Sequence, residues 1–573
     1  MMTDASEPTM PDYRFAPPYE LPRWPFVSPP ELQDARVRVR HPIVIVGGGL
    51  SGLTLACDLA SRGRACVLLD EDDTVGVRGA SSRGIAYAQK SLEVFARLGI
   101  YERIREKGIT WSVGVTKSGD DTVYSFNMQL SSQSAQPPFI NLQQFYLEWF
   151  LVDRIRELGH ADLRWKNRVT AVRPEHDHVV LDIETPEGSY CLEASWLIDA
   201  TGANSPIREA MGLPSHPSKS ADRWCITDVR FRKPLPIERW TWVDAPFNDG
   251  RAVWQHLMAD DVWRLDYQMA PDADPEYVSR PEVAGDRIRR QLGDDVEFEF
   301  VWIGPYMYRH HLLDRFSVGR VLFLGDSAHV VSPFGARGGN TGIQDAANLG
   351  WKLDLVLSER AAASLIETYH EERRAAAAEN LTVTSRTARF LAPRSPAEEV
   401  LRRAAISLAK RYEFARPLVN TGRMSIANAY PPSSTLPYGA RSIQNVPLVT
   451  ELGQSTTLAE LLRGPSRFLL IVFEADSDSA EHETRWLAQL SSAAQRVPLR
   501  TFVCRQHAIP NSRLEQIIDA QGLLLSQAQA QPGDCIVIRP DAYLALRLAP
   551  DECTELSERL RGLLFGQGSL PSH

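Results

Sequence analysis

Apolar positions along the chain form short continuous runs that alternate with segments of helical period. The runs Ile43 to Val46 and Ala65 to Leu69 predict buried strands, and Leu53 to Ser61 predicts the helix between them. A later run, Val321 to Leu324, predicts another buried strand, and a helix is predicted from about Thr341. Strands that alternate with helices are typical of an α/β fold with a largely parallel sheet.

The middle of the chain follows a period of two instead. Strands are predicted at Trp224–Phe231, Arg239–Val243, Arg251–Met258 and Val262–Met269, with a turn at Asp260–Asp261. Alternation places His256 with Trp254 on one face of its strand, and Tyr267 with Trp263 on one face of the neighbouring strand. We expect an antiparallel sheet with one aromatic face that covers a planar cofactor and holds a flat substrate. Plain core packing explains the same pattern.

The two ends of the chain differ from both of these regions. The segment that ends at about Arg40 is rich in Pro and aromatic residues, which predicts an arm on the body or on a partner subunit, or else a disordered tail. Phe468–Phe473, Leu499–Cys504 and Cys535–Arg539 are predicted strands of a further domain that begins at about Leu436. The predicted division is an arm at 1–40, a dinucleotide-binding domain at 41–220 and 316–395, a substrate-binding β-sheet domain at 221–315, a helical linker at 396–435 and a C-terminal domain at 436–573.

Composition narrows the class of protein. The 573 residues carry a net charge of −9 and no long basic run, which argues against nucleic-acid binding. The seven Cys are scattered without a C-x-x-C pair, which argues against a zinc site or a disulfide framework and fits a reducing compartment. There is no apolar segment long enough to span a bilayer and no signal peptide. We therefore expect a cytoplasmic protein with no membrane, nucleic-acid or metal partner.

A glycine fingerprint stands between the first strand and its helix. Gly47, Gly49 and Gly52 have the G-x-G-x-x-G spacing, and Asp70 comes directly after the second predicted strand. In such a unit the first glycine makes the tight turn, the second lets a pyrophosphate reach the backbone, and the third lets helix and strand pack closely. Asp70 is then expected to bind ribose hydroxyls. The alternative is a βαβ unit that binds no nucleotide.

A second glycine-rich segment follows the Val321–Leu324 run. Asp326 marks the carboxyl end of that strand, and Pro333 precedes a loop that contains Gly338 and Gly339. A strand-end carboxylate, small residues and free helix amides form a cradle for a planar anionic cofactor, although an ordinary strand–loop–helix looks the same. Only one dinucleotide fingerprint is present. If that fingerprint binds FAD, the second glycine-rich segment can hold part of the same cofactor, and a nicotinamide binds transiently elsewhere. This interpretation gives both segments a function.

These segments resemble the group A FAD-dependent aromatic hydroxylases. The Gly47–Gly52 fingerprint with Asp70, the Gly319–His329 segment and the Thr341–Ala346 segment match the family's motifs. The resemblance is strongest to the phenol hydroxylase and 3-(3-hydroxyphenyl)propionate hydroxylase branch, which also includes polyketide hydroxylases. The cofactor-binding residues that fingerprint and resemblance together indicate are Gly47, Gly49, Ser51, Gly52, Asp70, Arg83, Gln144, Val169, Asp326, Pro333, Gly338, Gly339 and Asn340.

The resemblance also implies an activity and an architecture. An NAD(P)H-dependent monooxygenase of this kind uses FAD and O2 to hydroxylate a small phenolic substrate through a flavin C4a-hydroperoxide, ortho or para to the hydroxyl. The implied fold is α/β, with a Rossmann-type FAD-binding domain, an inserted mixed β-sheet substrate domain and a C-terminal thioredoxin-like domain. In relatives the last domain supports dimerisation or stabilises the body, so a homodimer is expected.

Two positions depart from the family pattern. Thr201 occupies the place of the Asp in an Asp-Gly motif that is tied to FAD and NAD(P)H, although Asp199 lies two residues earlier. Arg337 adds a positive charge to the glycine loop, where it either stabilises anionic flavin or faces solvent.

The substrate contacts are predicted only from the face of the sheet on which a residue is expected to lie, since no sequence motif identifies them. His256, Tyr267 and Tyr306 are the candidates for a phenol hydroxyl, and Arg251, Arg264 or Arg309 for a substrate carboxylate. Two other functions are compatible with the sequence. Trp240-Thr241-Trp242 suggests a flavin halogenase, although it lacks the Ile-Pro that continues the halogenase signature. The departure at Thr201 suggests a flavoprotein that does not oxygenate its substrate.

Overall fold

The protein is described here from a computed structural model. The described residues are 19–33, 39–76, 84–213, 218–332, 334–419, 426–433, 439–474, 497–509, 512–550 and 552–565. The predictions for Arg83, for Pro333 and for the part of the arm that precedes Tyr19 lie outside these ranges.

The first sheet carries the glycine fingerprint and has a mainly parallel centre. Six of its eight strands, in spatial order, are Ser317–Val318, Val321–Phe323, Gly188–Asp199, Arg40–Val46, Cys66–Leu69 and Ala161–Arg164. The other two branch from this row: Val179–Thr185 pairs antiparallel with Gly188–Asp199, and Arg168–Pro174 pairs antiparallel with Val179–Thr185. Val44 pairs in parallel with both Val67 and Leu197, and Leu197 pairs with Val321. The carboxyl ends of these four parallel strands therefore meet at one edge, which is where ligands bind in open α/β sheets.

Four helices of this domain position the candidate site. They are the fingerprint helix Leu50–Ser61, the helix Gln144–Leu158, the second-motif helix Gly338–Leu357 and the long helix Glu367–Leu391. The second-motif helix begins before the predicted start at Thr341, because the Thr341 amide already donates to the Arg337 carbonyl at 2.8 Å. Gly338 and Gly339 thus form its first turn, whereas the sequence placed them in a loop.

The second sheet is the substrate-domain sheet. Its strands in order are His329–Val330, Phe298–Leu312, Ser218–Phe231, Val262–Met269, Arg251–Leu257, Arg239–Ala245, Val113–Ser118 and Asp121–Asn127. The division at 221–315 needs a correction, because the hairpin that begins at Val113 lies in the segment assigned to the first domain. Gly114 pairs in parallel with Arg239, and such non-local pairing leaves no trace in local periodicity.

The C-terminal domain contains a third eight-stranded sheet. Its strands in order are Arg441–Ser442, Tyr543–Leu548, Cys535–Ile538, Phe468–Phe473, Leu499–Arg505, Gln516–Ile518, Pro447–Thr450 and Ser455–Thr457. The central Phe468–Phe473 strand pairs in parallel with Leu499–Arg505 and antiparallel with Cys535–Ile538. This mixed order agrees with the predicted thioredoxin-like domain, so the predicted fold class is confirmed.

Smaller elements complete the chain. A three-stranded sheet contains Ala86–Ala88, Phe139–Asn141 and Ile109–Trp111. Further α-helices are Pro30–Gln33, Gln89–Leu98, Tyr101–Lys107, Pro206–Ala210, Pro275–Val278, Pro281–Leu292, Pro396–Ala409, Arg416–Val419, Leu458–Leu461, Leu523–Ala528 and Leu556–Phe565. In the described part of the arm, Trp24 is buried and stacks on Trp165 at 4.6 Å. No helix within the described ranges is both long and apolar enough to cross a membrane.

Ser51 lies where three segments of the first domain meet. A Cβ atom built on Gly325 would stand 2.4 Å from the Ser51 Oγ, and one built on Gly342 would stand 2.3 Å from it. Only glycine fits at either position while Ser51 keeps its place. The two glycines therefore let the fingerprint helix, the Gly325 turn and the second-motif helix approach each other through a single side chain.

This contact predicts a compensating pair of substitutions. Gly342→Ala should lower the free energy of unfolding by about 1–3 kcal/mol, because the new methyl group overlaps the Ser51 hydroxyl. Adding Ser51→Ala should restore most of that stability, since the Ser51 Cβ would be 3.5 Å from the new atom, an ordinary contact. Urea denaturation of the two variants checks this, and a double variant no more stable than Gly342→Ala would contradict the packing described here.

Candidate cofactor and substrate site

The three fingerprint glycines have distinct surroundings. Gly47 has a positive φ of 111°, and a Cβ on it would lie 2.4 Å from the Ala200 carbonyl oxygen. A Cβ on Gly52 would lie 2.1 Å from the Gly47 carbonyl oxygen, so the helix can approach the strand only because this residue is glycine. A Cβ on Gly49 would meet no atom of the described chain within 4 Å, which leaves open space over its backbone for a ligand.

Two helix N-termini converge beside this space. Neither Gly49 nor Arg337, the N-cap residues of the fingerprint helix and the second-motif helix, caps its helix with a side chain. The Leu50 amide of the fingerprint helix donates to Glu148. The two helices approach closely, since a Cβ on Gly339 would be 3.2 Å from Leu50. First-turn amides at the positive ends of two helices are suited to a pyrophosphate and to the electron-rich edge of a flavin. These residues fit the FAD that the sequence predicted.

Asp70 follows the Cys66–Leu69 strand and lies beside the fingerprint turn. Its carboxylate accepts hydrogen bonds from the amides of Gly48 and Asp72, the latter at 2.9 Å. Burial raises the pKa of Asp70 to about 6 despite these donors. The Asn167 amide donates to the Asp70 carbonyl at 2.8 Å, which brings the strand that contains Val169 to the same end of the sheet.

The Gln144 side chain contacts the protein itself. Its Oε1 accepts from the Gly84 amide at 3.1 Å and its Nε2 donates to Glu148 at 2.8 Å. Glu148 is buried, accepts from the Gly76 amide at 3.2 Å, and burial raises its pKa to about 7. Gln144 and Glu148 therefore bind the two described ends of the 76–84 segment.

The structure accounts for the departure at Thr201. Asp199 ends a central strand, and its carboxylate accepts from the Thr201 hydroxyl at 2.6 Å and from the Ser205 hydroxyl. Arg208 donates to the Ser327 carbonyl at 3.0 Å, directly after Asp326. A carboxylate two residues earlier thus organises this turn, while Asp326 itself is exposed at the carboxyl end of its own strand.

Two residues of the second motif have their side chains occupied elsewhere. Asn340 accepts from the Ala88 amide at 2.9 Å and donates to the Ala86 carbonyl at 2.8 Å, so the Ala86–Ala88 strand holds its side chain. Arg337 is buried and donates to Asn380 on the long helix at 2.6 Å. The alternative in which Arg337 faces solvent is therefore wrong.

The predicted phenol contacts do not share one face of the substrate-domain sheet. His256 pairs with Arg264, and Tyr267 pairs with Val253, so His256 and Tyr267 point to opposite faces. Tyr267 is buried and donates from its hydroxyl to Gln291 on the Pro281–Leu292 helix at 2.6 Å. The expectation of one face with both residues is corrected, because the register of the strands places them out of phase.

The other predicted contacts are also separated. Tyr306 pairs with Trp224 on the His256 face, and its side chain is partly exposed. Arg264 lies on that face as well, but its guanidinium is bound bidentately to Asp228, at 2.8 Å for both bonds. Arg251 lies half-exposed on the opposite face, and the Arg309 side chain is outside the described set.

The His256 face contains a buried polar cluster that the sequence reasoning missed. Asp266 Oδ2 lies 3.8 Å from His256 Nε2, and within the described ranges His256 Nδ1 has no hydrogen-bond partner. Arg239 lies on the same face, with its guanidinium 5.9 Å from the Trp254 ring. One feature of the sequence indicates this cluster: Arg264, Asp266 and Gln268 alternate with apolar residues along one strand. The structure shows that this strand is buried on both faces.

Burial controls the charges of this cluster. It raises the pKa of Asp266 to about 7 and lowers the pKa of Arg239 to about 10. Burial also lowers the pKa of His256 well below its ordinary value, with Arg239 and Arg264 adding to the effect. At neutral pH, His256 is therefore neutral and Asp266 is poised between its acid and its carboxylate.

A set of three aromatic side chains connects this face of the sheet with the second glycine-rich segment. Trp224 and Trp254 stack with ring centroids 4.6 Å apart, and Phe334 meets Trp254 edge-on at 5.1 Å. Phe334 lies between the Gly325 turn and the second-motif helix. The polar cluster and the predicted flavin cradle are thus on the same side of the sheet.

Comparisons with known proteins agree with this geometry. A family model described as FAD binding domain matches residues 40–384, which is more than half of the chain. An enzyme of Streptomyces rimosus named 12-dehydrotetracycline 5-monooxygenase/anhydrotetracycline 6-monooxygenase is 27% identical over 549 residues, which cover 91% of this chain and 98% of the relative.

A hydroxylase and a solved structure add to this result. A 3-(3-hydroxy-phenyl)propionate/3-hydroxycinnamic acid hydroxylase of Mycolicibacterium smegmatis is 24% identical over 541 residues, which cover 91% of this chain and 93% of the relative. The flavin-dependent monooxygenase PieE, solved with FAD and substrate, shares the fold with a TM-score of 0.75 at 20% identity, and the match covers 92% of this chain and 99% of that one. The chain belongs to the group A FAD-dependent aromatic hydroxylases, in the phenol hydroxylase and 3-(3-hydroxyphenyl)propionate hydroxylase branch, and is an FAD-dependent monooxygenase.

Proposed function

We propose that this monooxygenase uses NAD(P)H and O2 to add one hydroxyl group to a phenolic aromatic ring, as a homodimer in the cytoplasm. Bound FAD would supply the redox chemistry: the nicotinamide would provide two electrons, one oxygen atom of O2 would be added to the ring, and the other would leave as water. The protein's own residues hold the flavin, orient the ring and manage the substrate's proton. The supporting observation is the buried cluster of Asp266, His256 and Arg239 on the sheet face that Phe334 connects to the second motif.

The cofactor residues divide by the part of FAD they would hold. The open space over Gly49 would take the pyrophosphate against the first amides of the fingerprint helix. Asp70 would accept hydrogen bonds from the adenosine ribose, with the Val169 strand beside the adenine, and exposed Asp326 would bind the ribityl chain. The first-turn amides at Gly339 and Asn340 would face the flavin's pyrimidine edge, where reduction places negative charge.

We assign to the polar cluster the acid–base role that hydroxylation of a phenol needs. A phenol ring is more nucleophilic once its hydroxyl has lost the proton, and a carboxylate with a pKa near working pH is suited to accept it. Asp266 would take that proton, while Arg239 would stabilise the resulting phenolate. Neutral His256 offers one ring nitrogen to the substrate's oxygen. The same cluster would exclude bulk water, since all three side chains are largely buried.

The names of the relatives indicate the class of substrate to test. One relative is named for anhydrotetracycline and another for hydroxyphenylpropionate, and both names describe hydroxylated aromatic rings. A panel of simple phenols, hydroxybenzoates, phenylpropionates and polycyclic phenols should include compounds that accelerate NAD(P)H oxidation and are recovered with one added hydroxyl. Halide-dependent product would instead indicate a halogenase, and no NAD(P)H consumption with any compound would contradict the proposal.

The glycine surroundings predict different effects for two matched alanine substitutions. Gly49→Ala should leave the melting temperature of the apoprotein unchanged, because its Cβ has open space around it, and should weaken FAD binding at least tenfold. Gly52→Ala should lower both the melting temperature and the affinity for FAD, since its Cβ would overlap the Gly47 carbonyl oxygen at 2.1 Å. Thermal melting without FAD and titration of the visible flavin spectrum separate the two effects. Unchanged FAD affinity in folded Gly49→Ala would place the pyrophosphate elsewhere.

The pKa of Asp266 predicts the pH dependence of turnover. Asp266 accepts a proton only as a carboxylate, so the rate of hydroxylation should rise as pH increases through about 7. Asp266→Asn should remove that rise and lower kcat/KM by about 10²–10⁴-fold, the usual contribution of a positioned base.

Substrates of different acidity provide the control for this assignment. The midpoint of the pH profile should stay the same across phenols whose own pKa values differ, because it belongs to Asp266. A midpoint that follows the pKa of the phenol, or that persists in Asp266→Asn, would exclude Asp266 as the proton acceptor.

A further inference from the structure

We propose that the C-terminal domain acts as a brace for the flavin cradle, through a buried charge network that ends at Arg539. The network crosses the long helix and reaches both the Gly325 turn and the first turn of the second-motif helix. Arg539 is in this view a positioning residue that never touches the cofactor. The inference rests on FAD binding and is independent of the substrate and reductant proposed above.

The first part of the network is a set of four buried charges. Arg539 donates two hydrogen bonds to Glu372 on the long helix, at 2.8 and 2.9 Å, and two to Asp541, at 3.0 and 2.5 Å. Glu372 also accepts from Lys352 at 3.0 Å and from Asn348 at 2.6 Å, both on the second-motif helix. Two positive and two negative groups therefore balance, and Arg539 is the one cation among these four that comes from the C-terminal domain.

The second part begins at the next residue of the long helix. Arg373 donates to Asp345 at 2.6 Å, and to the Thr341 carbonyl in the first turn of the second-motif helix at 3.3 Å. Asp345 in turn accepts from the Gly325 amide at 3.3 Å and lies 2.6 Å from His329 Nε2. One guanidinium thus connects the two backbone segments that flank the predicted flavin site.

A stacked pair of tyrosines joins the two parts. Tyr430 and Tyr543 stack with centroids 4.2 Å apart and ring planes 13° apart. Arg539 lies 5.3 Å from the Tyr430 ring and 5.6 Å from the Tyr543 ring. The Tyr430 hydroxyl accepts from Arg373 at 3.2 Å. A shift of Arg539 would therefore move the neighbours of both Glu372 and Arg373.

The burial of the second-motif helix explains why a distant charge affects the cradle. Every residue of this helix from Asn340 to Leu355 is buried, and Trp351 packs on Phe468 of the C-terminal sheet at 5.7 Å. Charges in such surroundings are weakly screened, so an ion left without its partner is strongly unfavourable and drives rearrangement. Because the helix cannot move into solvent, the strain is passed along its axis to the first turn.

The test compares two buried arginines of the same domain. Arg539→Met should weaken FAD binding at least tenfold and shift the midpoint potential of bound flavin to more negative values, because the helix amides no longer face the reduced ring correctly. Arg505→Met is the matched control: Arg505 is buried, and its partners Glu474 and Ser512 both belong to the C-terminal domain. It should lower the melting temperature without changing FAD affinity or the potential. Full-length apoprotein is titrated with FAD, and no substrate or nicotinamide is added.

A rescue variant separates the brace from a general loss of stability. Arg539→Met leaves one buried cation against two buried anions, and adding Glu372→Gln restores an equal number. The double variant should regain most of the lost FAD affinity. The proposal is overturned if folded Arg539→Met binds FAD as the original protein does, if Arg505→Met loses as much affinity at the same loss of melting temperature, or if the double variant binds FAD no better than Arg539→Met.

Discussion

The close approach of three backbone segments around Ser51 is the constraint on which the rest of the structure depends. Glycine at 325 and 342 leaves room for one serine hydroxyl between the strand-end turn and two helices. With any larger residue, the two helix ends would separate. Their convergence concentrates free amides at one edge of the parallel sheet, and that concentration makes the edge suitable for a long anionic cofactor.

The other two sheets contact the segments that form this edge. One face of the substrate-domain sheet carries Trp224, Trp254 and the polar cluster, and Phe334, which precedes the second-motif helix, packs on both tryptophans. The C-terminal domain covers the far side of the second-motif helix, with a balanced set of buried ions at the boundary. The ions at the C-terminal boundary are buried and paired. In the substrate-domain cluster, by contrast, His256 Nδ1 has no hydrogen-bond partner within the described ranges, and burial raises the pKa of Asp266 to about 7, which is why we propose a chemical use for that cluster.

Sequence reasoning succeeded where local pattern determines structure. The fingerprint glycines with Asp70, the strand before Asp326 and the Phe468–Phe473 strand of the C-terminal domain are all visible as short-range signals. It failed where long-range register decides: Tyr267 is on the wrong face for His256, and the Val113–Asn127 hairpin joins a distant strand. Asn340 and Arg337 were assigned to the cofactor region by position, but hydrogen bonds to distant segments hold their side chains. Asp266 has no motif around it, and its place beside His256 depends on the pairing of two strands that local sequence does not fix.

A crystal structure of the protein with FAD and a phenolic substrate bound would test the proposed site most directly. We expect the pyrimidine edge of the flavin within hydrogen-bond distance of the Gly339 or Asn340 amide, and the phenol oxygen within that distance of the Asp266 carboxylate. A flavin whose ring lies away from the second-motif helix, or a phenol oxygen directed to the opposite face of the sheet beside Tyr267, would contradict this expectation.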